Sequence, residues 1–212
     1  MLAESADIKT DAFRELYGAF GEDVVARCVM HHLRHAGISR VQKIQFYHAE
    51  FLGQDLSPED LGLWTQRYAE VVAKQVVAAP AVPGAVEFLN VALGKLPIYV
   101  ISGTPEDELQ RIVKERGWSE FFAEVHGSPR LKPEIIEDIV SRTGLDVRRV
   151  LFVGDAMTDY DAAHERGVPF LGRVASHHEN TFPPGTETVS DLTDLIRRVF
   201  TPTMDLPIGQ NE

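Results

Sequence analysis

The residues Val150-Leu151-Phe152-Val153-Gly154-Asp155-Ala156-Met157-Thr158-Asp159 read as a buried apolar strand that ends in Gly-Asp, with a second carboxylate four residues later. Glycine at position 154 suits a chain turning sharply out of a sheet. Asp155 then falls at the carboxyl end of a strand, where open α/β sheets bind their ligands. Two carboxylates this close suit a hard cation such as Mg²⁺, which prefers oxygen ligands. The plainer reading of such a turn is structural, with an aspartate capping the next helix.

Two further segments carry chemistry that points at an anion. Ile101-Ser102-Gly103-Thr104 follows an apolar β-branched run and precedes a helix. Its hydroxyls and free amides suit a phosphate held at a helix start. Thr104 is expected to cap that helix, which leaves Ser102 for a ligand. Lys132-Pro133 opens another helix. A cation is unfavourable at a helix N-terminus, where the backbone dipole attracts anions. Lys132 therefore makes sense facing a bound anion, although an exposed surface lysine is the commoner case.

These residues need a scaffold, and the chain offers two unlike parts. Residues 1–79 read as helices only, with residues 1–5 leading into them. Phe13, Leu16, Tyr17 and Phe20 follow helical spacing, as do Val24, Val25, Cys28 and Val29. Ser39-Arg40-Val41-Gln42 has the pattern of a capping box, and Ser57-Pro58-Glu59-Asp60 starts a long helix through Trp64, Tyr68, Val71 and Val72. Pro80 to Gly84 marks the boundary. Residues 80–202 then alternate between helices and short apolar strands, the pattern of a parallel sheet with crossover helices. Strands are expected over Pro97–Ile101, Ala123–His126, Val150–Val153 and Val168–Gly172. Residues 203–212 have no periodicity and read as a flexible tail. The fold class is α/β, a Rossmann-like parallel sheet core carrying an α-helical cap.

Composition narrows the partners. The chain has 212 residues, 44% hydrophobic, with a net charge of -11, enough for a core and a smaller second unit and contrary to a nucleic-acid partner. The sole cysteine, Cys28, cannot form an internal disulfide, which fits a reducing compartment. No apolar run reaches the length of a membrane span and the N-terminus lacks a secretory pattern, so a cytoplasmic location is expected.

At this point the chain resembles the haloacid dehalogenase-like hydrolases, in their phosphatase branch. Ile98-Tyr99-Val100-Ile101-Ser102-Gly103-Thr104, Lys132, and Phe152-Val153-Gly154-Asp155-Ala156-Met157-Thr158-Asp159-Tyr160-Asp161-Ala162-Ala163 look like the family's motifs II, III and IV, in order and spacing. The helices before Pro80 look like its cap, inserted after motif I. The resemblance implies that Asp155 ligates Mg²⁺, directly or through water, with Asp159 in support. It implies that Ser102 and Gly103 hold phosphate oxygens and that Lys132 neutralises charge. The expected partner is a small phosphorylated metabolite.

Motif I of that family is Asp-x-Asp-Gly-(Thr/Val)-Leu-x-x-Ser on the first, central strand. Leu2-Ala3-Glu4-Ser5 matches its last residues, so the nucleophilic aspartate and its strand have no counterpart in this sequence. The chain as given is therefore expected to be catalytically silent, with a gap in the sheet between the strands ending at Ser102 and Asp155. Association through that open sheet is a corollary. A misplaced GTG start, a truncation or a natural pseudoenzyme would each account for the pattern. A catalytically dead binding protein of the same fold is the competing class, and a phosphomutase or dehalogenase of the family a further one.

Other candidates are weaker. Arg40 and Lys43, at the start of a cap helix, could reach the far end of a substrate, or form an ordinary surface pair. His31 and His35 stand one turn apart without an evident third ligand, so a zinc site is unfavoured. Trp64 and Trp118 read as core, and His177-His178 has no assigned role.

Overall fold

The computed structural model describes residues 1–35 and 37–200; the expected tail at 203–212 lies outside them. The chain opens with four helices: α1 (Ala6–Tyr17), α2 (Glu22–Arg34), α3 (Arg40–Tyr47) and α4 (Pro58–Ala78). Helical spacing turns the apolar faces of these helices toward one another, with α2 and α4 against α1 and α3 against α4. Phe13, Tyr17, Cys28, Ile44, Tyr47, Tyr68 and Val72 form one buried cluster. Its rings are interlocked, with Phe13 and Tyr68 centroids 4.7 Å apart and Tyr17 stacked on Trp64 at 5.6 Å. Such pairs contribute about 0.5–1.5 kcal/mol each beyond burial. Burial pushes the Cys28 thiol up to about 12, so it behaves as a small apolar side chain.

The helix starts follow local chemistry. Ser57 Oγ accepts from the Asp60 amide at 3.1 Å, with Pro58 as the first helical residue. Ser39 Oγ accepts from the Gln42 amide at 3.4 Å, but the Gln42 side chain accepts from Ser39 Oγ rather than reaching the Ser39 backbone. Half of the expected capping box is formed.

After Ala79 come α5 (Ala85–Ala92), β1 (Tyr99–Pro105), α6 (Glu106–Glu115), β2 (Glu124–Ser128), α7 (Lys132–Thr143), β3 (Phe152–Gly154), α8 (Met157–Glu165), β4 (Phe170–Arg173), β5 (Thr188–Val189) and α9 (Leu195–Phe200). All strand pairs are parallel: β1 with β2, and β3 with β4 and then β5. Gly144 and Gly167, both at positive φ, follow the ends of α7 and α8. The two-residue strand β5 is too short to read from sequence.

Two local expectations fail for identifiable reasons, and a third position, Gly154, is glycine for a reason of its own. Thr104 does not cap a helix. β1 runs on through Ser102, Gly103 and Thr104 to Pro105, its register with β2 slipping between Ile101 and Pro105, and α6 starts at Glu106 without a side-chain cap. β3 is shorter than expected and only half-buried, and Leu151 beside it is 40% exposed. Gly154 does not adopt positive φ; a Cβ there would overlap the Asp159 side chain, so glycine is required by close approach.

The half-burial of β3 has a cause. Among the described residues β1 and β3 do not pair, and the strands fall into two separate sheets. A cavity of about 930 Å³ reaches between their facing edges, lined by Val100, Ile101, Phe152 and Val153 among others. Residues at the start of the chain do not fill it as a strand. They form one antiparallel bridge, Ala3 with Ala81, while the Leu2 carbonyl accepts from the Val82 amide at 3.0 Å.

Candidate functional site

The same cavity continues from the gap between the sheets to the helical cap, and Ser102, Gly103, Lys132, Asp155 and Asp159 all line it. Each arrives from a different element. Ser102 and Gly103 lie in the irregular part of β1. Ser102 Oγ accepts from the Thr104 amide at 3.1 Å and donates to Thr104 Oγ1 at 3.2 Å, which holds the hydroxyl at the bend.

Lys132 is the first residue of α7, and its ammonium is neutralised at once. It donates to Asp159 Oδ1 at 2.6 Å and to Thr158 Oγ1 at 2.9 Å. An ammonium carries three donors, so one remains for a ligand. Asp159 is buried and fully engaged. Its Oδ2 accepts from the backbone amides of Asp155 and Ala156, at 3.2 and 3.1 Å, while its Oδ1 faces Lys132. Asp159 therefore fixes both the Gly-Asp turn and the lysine.

Asp155 opens into the cavity. Its Oδ2 lies 2.9 Å from the Met1 ammonium. Burial alone would raise its carboxyl, but the Met1 ammonium, Lys9 and Lys132 outweigh that and hold it at about 2. Asp155 is thus an anionic oxygen donor set among cations. These residues fit a magnesium ion in a limited way. Asp155 supplies a carboxylate, while Asp159 has one oxygen committed to the turn and the other to Lys132. A site with one carboxylate, completed by water and substrate phosphate, is ordinary for Mg²⁺.

The cap closes over this end. The Gly37 backbone packs so tightly on the core that a Cβ there would overlap Thr158 and crowd Lys132 Nζ. The Arg40 guanidinium, on α3, pairs with Glu108 on α6 and lies 5.2 Å from the Tyr68 ring centroid. Arg116, just past α6, donates to the Val76 and Val77 carbonyls at the end of α4, at 2.9 and 2.8 Å. Lys43 is buried and donates to His32 Nδ1 at 2.8 Å. Arg40 and Lys43 both line the cavity, with Arg40 engaged by Glu108 and Lys43 by a neutral ring.

Sequence reasoning missed Lys9, His32 and Glu108, which line the cavity too. A signal existed. Lys9 stands four residues before Phe13, His32 four after Cys28, and Lys43 four before Tyr47, so each falls on its helix's apolar stripe. A charged or titratable group on such a stripe faces inward.

The remaining candidates resolve plainly. The His31 and His35 rings lie 4.4 Å apart, and His31 Nδ1 is 3.3 Å from the Tyr47 hydroxyl. Among the described residues no third ligand joins them; the one His/Asp group at metal-binding separations is Asp7, His177 and His178, on the surface. Trp64 packs against the buried cap cluster, whereas Trp118 is half-buried at the cavity with Arg116 4.1 Å from its ring centroid. No helix among the described residues is long and apolar enough to cross a membrane.

The architecture is shared with solved structures. A protein from Haemophilus somnus described as a predicted phosphoglycolate phosphatase superposes with a TM-score of 0.70 at 17% identity, over 93% of this chain and 92% of that one. The HAD-hydrolase YfnB from Bacillus subtilis, solved bound to magnesium, gives 0.69 at 13% identity over 94% of each chain. CbbY from Rhodobacter sphaeroides, solved in complex with phosphate, gives 0.69 at 16% identity over 92% of each. No curated protein matches the chain. The sequence profile of the haloacid dehalogenase-like hydrolases matches residues 2–167. The chain belongs to the haloacid dehalogenase-like hydrolase family.

Proposed function

We propose that the protein is of the Mg²⁺-dependent phosphatase lineage of this family and that its substrate is a small phosphorylated metabolite, met in the cytoplasm. The observation that carries this reading is the convergence of Ser102, the spare donor of Lys132 and the anionic Asp155 on one cavity beneath the cap. In this reading Ser102 and Gly103 receive phosphate oxygens, and Lys132 offsets their charge. Asp159 holds Lys132 and the Asp155 turn in place, a preorganised arrangement that needs no rearrangement when charge develops. Magnesium held by Asp155 would screen repulsion between a phosphate and an approaching carboxylate. A cap closed on a bound substrate would exclude water and strengthen each of these interactions.

The family resemblance supplies the covalent step. A carboxylate oxygen attacks phosphorus, the phosphorus–oxygen ester bond breaks, and the leaving oxygen takes a proton from the second aspartate of motif I, which recovers one from the water of the next step. Water then cleaves the aspartyl-phosphate to release phosphate and restore the carboxylate. Of the carboxylates that line the cavity, Asp159 is paired with Lys132 and Glu108 with Arg40, Asp155 is assigned here to the metal, and Glu179 is exposed; none is cast as that nucleophile. The chain as given is accordingly proposed to bind phosphate without turnover. The test is hydrolysis of a panel of phosphomonoesters, with and without Mg²⁺, by this chain and by a form extended at its N-terminus with an Asp-x-Asp-Gly strand. Silence in the first and Mg²⁺-dependent activity in the second is expected. Silence in both would remove the phosphatase reading.

A further inference from the structure

Apart from Ser102, Lys132 and Asp155, one cluster brings metal-ligating atoms together from two distant parts of the chain. Asp7 stands in the first turn of α1, at the entry to the cap. His177 and His178 lie in the loop between β4 and β5 of the core. His177 Nε2 is 3.5 Å from Asp7 Oδ2, and His178 Nε2 is 3.4 Å from Asp7 Oδ1. The two imidazole centroids are 4.3 Å apart. With one ligand atom taken from each residue, the three atoms lie within 4.8 Å of one another.

Neighbouring side chains of an extended chain point apart, so two consecutive histidines that reach one carboxylate need a local cause. That cause is a turn, in which the His178 amide donates to the Ala175 carbonyl at 2.8 Å. A bidentate ion pair brings the carboxylate to the turn. Arg173, buried at the end of β4, donates to the two Glu4 oxygens at 3.0 and 2.6 Å. Asp7 follows Glu4 by three residues, and His177 follows Arg173 by four. Stability alone does not account for the convergence. The Asp7 and His177 side chains are 71% and 62% exposed, and an ion pair that exposed contributes little. Their separations are also long for a charge-assisted hydrogen bond, which closes to about 2.7–2.9 Å. They match two ligands of one ion. Tetrahedral bonds of about 2.0–2.2 Å place ligand atoms roughly 3.3–3.6 Å apart. An octahedral ion with bonds of about 2.1 Å would hold them at about 3.0 Å.

We propose that Asp7, His177 and His178 form a site for Zn²⁺ or a similar borderline transition metal, with one coordination position open, and that the ion ties the start of the cap to the core. Two imidazoles and a carboxylate suit such an ion. Mg²⁺ takes oxygen ligands, so this site and Asp155 select different cations. Exposure gives the ion an entry path and lets the three side chains turn onto it quickly. The Glu4–Arg173 pair already holds the two segments together, and the ion adds a second tie just beyond it.

Calorimetric titration of the full chain with Zn²⁺, in excess Mg²⁺ so that Asp155 is not available to zinc, tests the site. One Zn²⁺ per chain should bind, and Co²⁺ in its place should give the intense visible absorption of a four-coordinate ion. Asp7→Ala, His177→Ala and His178→Ala should each weaken binding at least about tenfold, since even groups behind a metal ligand contribute that much. His35→Ala, which breaks the other pair of neighbouring imidazoles, should leave binding unchanged. Zn²⁺ should also slow amide hydrogen exchange in the first turn of α1 and in the turn at residues 175–178, in wild type and not in the three alanine variants. No saturable Zn²⁺ binding would overturn the site. So would binding that survives the three alanine variants, or that is lost in His35→Ala. Binding at the site with exchange unchanged in both segments would overturn the tie between cap and core.

Discussion

Lys132 and Lys43 line the same cavity in opposite electrostatic conditions. Lys132 faces Asp159 at 2.6 Å and a threonine hydroxyl, so its charge is balanced before any ligand arrives. Lys43 faces a neutral imidazole, with Lys9 and Lys132 as further cations. One end of the cavity is thus self-compensated, and the other stores an unfavourable charge. A lysine paired with a carboxylate stabilises the fold, whereas a buried one without such a partner strains it. Comparing the two lysines separates these conditions by sign.

The largest effect is expected from breaking the balanced end. Lys132→Met leaves Asp159 buried beside backbone amides without its cation, and should cost about 3–5 kcal/mol. Chemical denaturation should read this as a lower midpoint, together with loss of phosphate binding. Glu108→Ala orphans the buried Arg40 and should cost a similar or somewhat smaller amount by the same physics, about 3 kcal/mol. It should also loosen the cap, raising amide hydrogen exchange in α3 more than in α7. Gly37→Ala forces a methyl group into Thr158 and Lys132, and should cost about 1–3 kcal/mol. Weakened phosphate binding would accompany it, because the clash bears on the lysine proposed to meet the phosphate.

Lys43→Met is the smallest change and the one of opposite sign. In the folded protein Lys43 loses its proton near pH 7; unfolded, it holds it to about pH 10.4. Between those values the unfolded chain binds more protons, so wild-type stability rises with pH through that window. Below pH 7 the full cost of the buried charge is present. The groups facing Lys43 are His32 on α2, Lys9 on α1 and Lys132 on α7; His32 is neutral throughout that window. The Met variant should therefore be more stable than wild type by at least ~1 kcal/mol below pH 7, or roughly 2–4 °C in Tm. Its advantage should shrink as pH rises.

Much of this was legible in the sequence where a local rule and the tertiary structure agree. Gly144 and Gly167 follow the ends of their helices, Pro58 and Ser57 start α4, and Lys132 stands at the first turn of α7. The Asp155–Asp159 spacing was readable because the Gly-Asp turn and the first turn of α8 fix both residues locally. What was not legible depends on contacts across elements. Thr104 looked like a cap because Pro105 follows it, but pairing with β2 keeps that stretch extended. β3 looked fully buried because its residues are apolar; the open space toward β1 leaves it half-covered. Lys9 and His32 lie on apolar stripes, yet their sharing one cavity with Lys43 comes only from the packing of α1, α2 and α3. Gly37 carries no sequence signal beyond being a glycine, since its role lies in contact with Thr158, over a hundred residues away.

The most direct measurement is the thermal midpoint of ligand-free wild type, Lys43→Met and Lys132→Met from pH 6 to pH 9. The account predicts that at pH 6 Lys43→Met melts above wild type and Lys132→Met below it. The Lys43→Met advantage should narrow toward pH 9, while the Lys132→Met deficit persists. If both variants melt below wild type at every pH, Lys43 is a structural lysine whose charge the fold already balances, and the distinction between the two ends of the cavity is wrong.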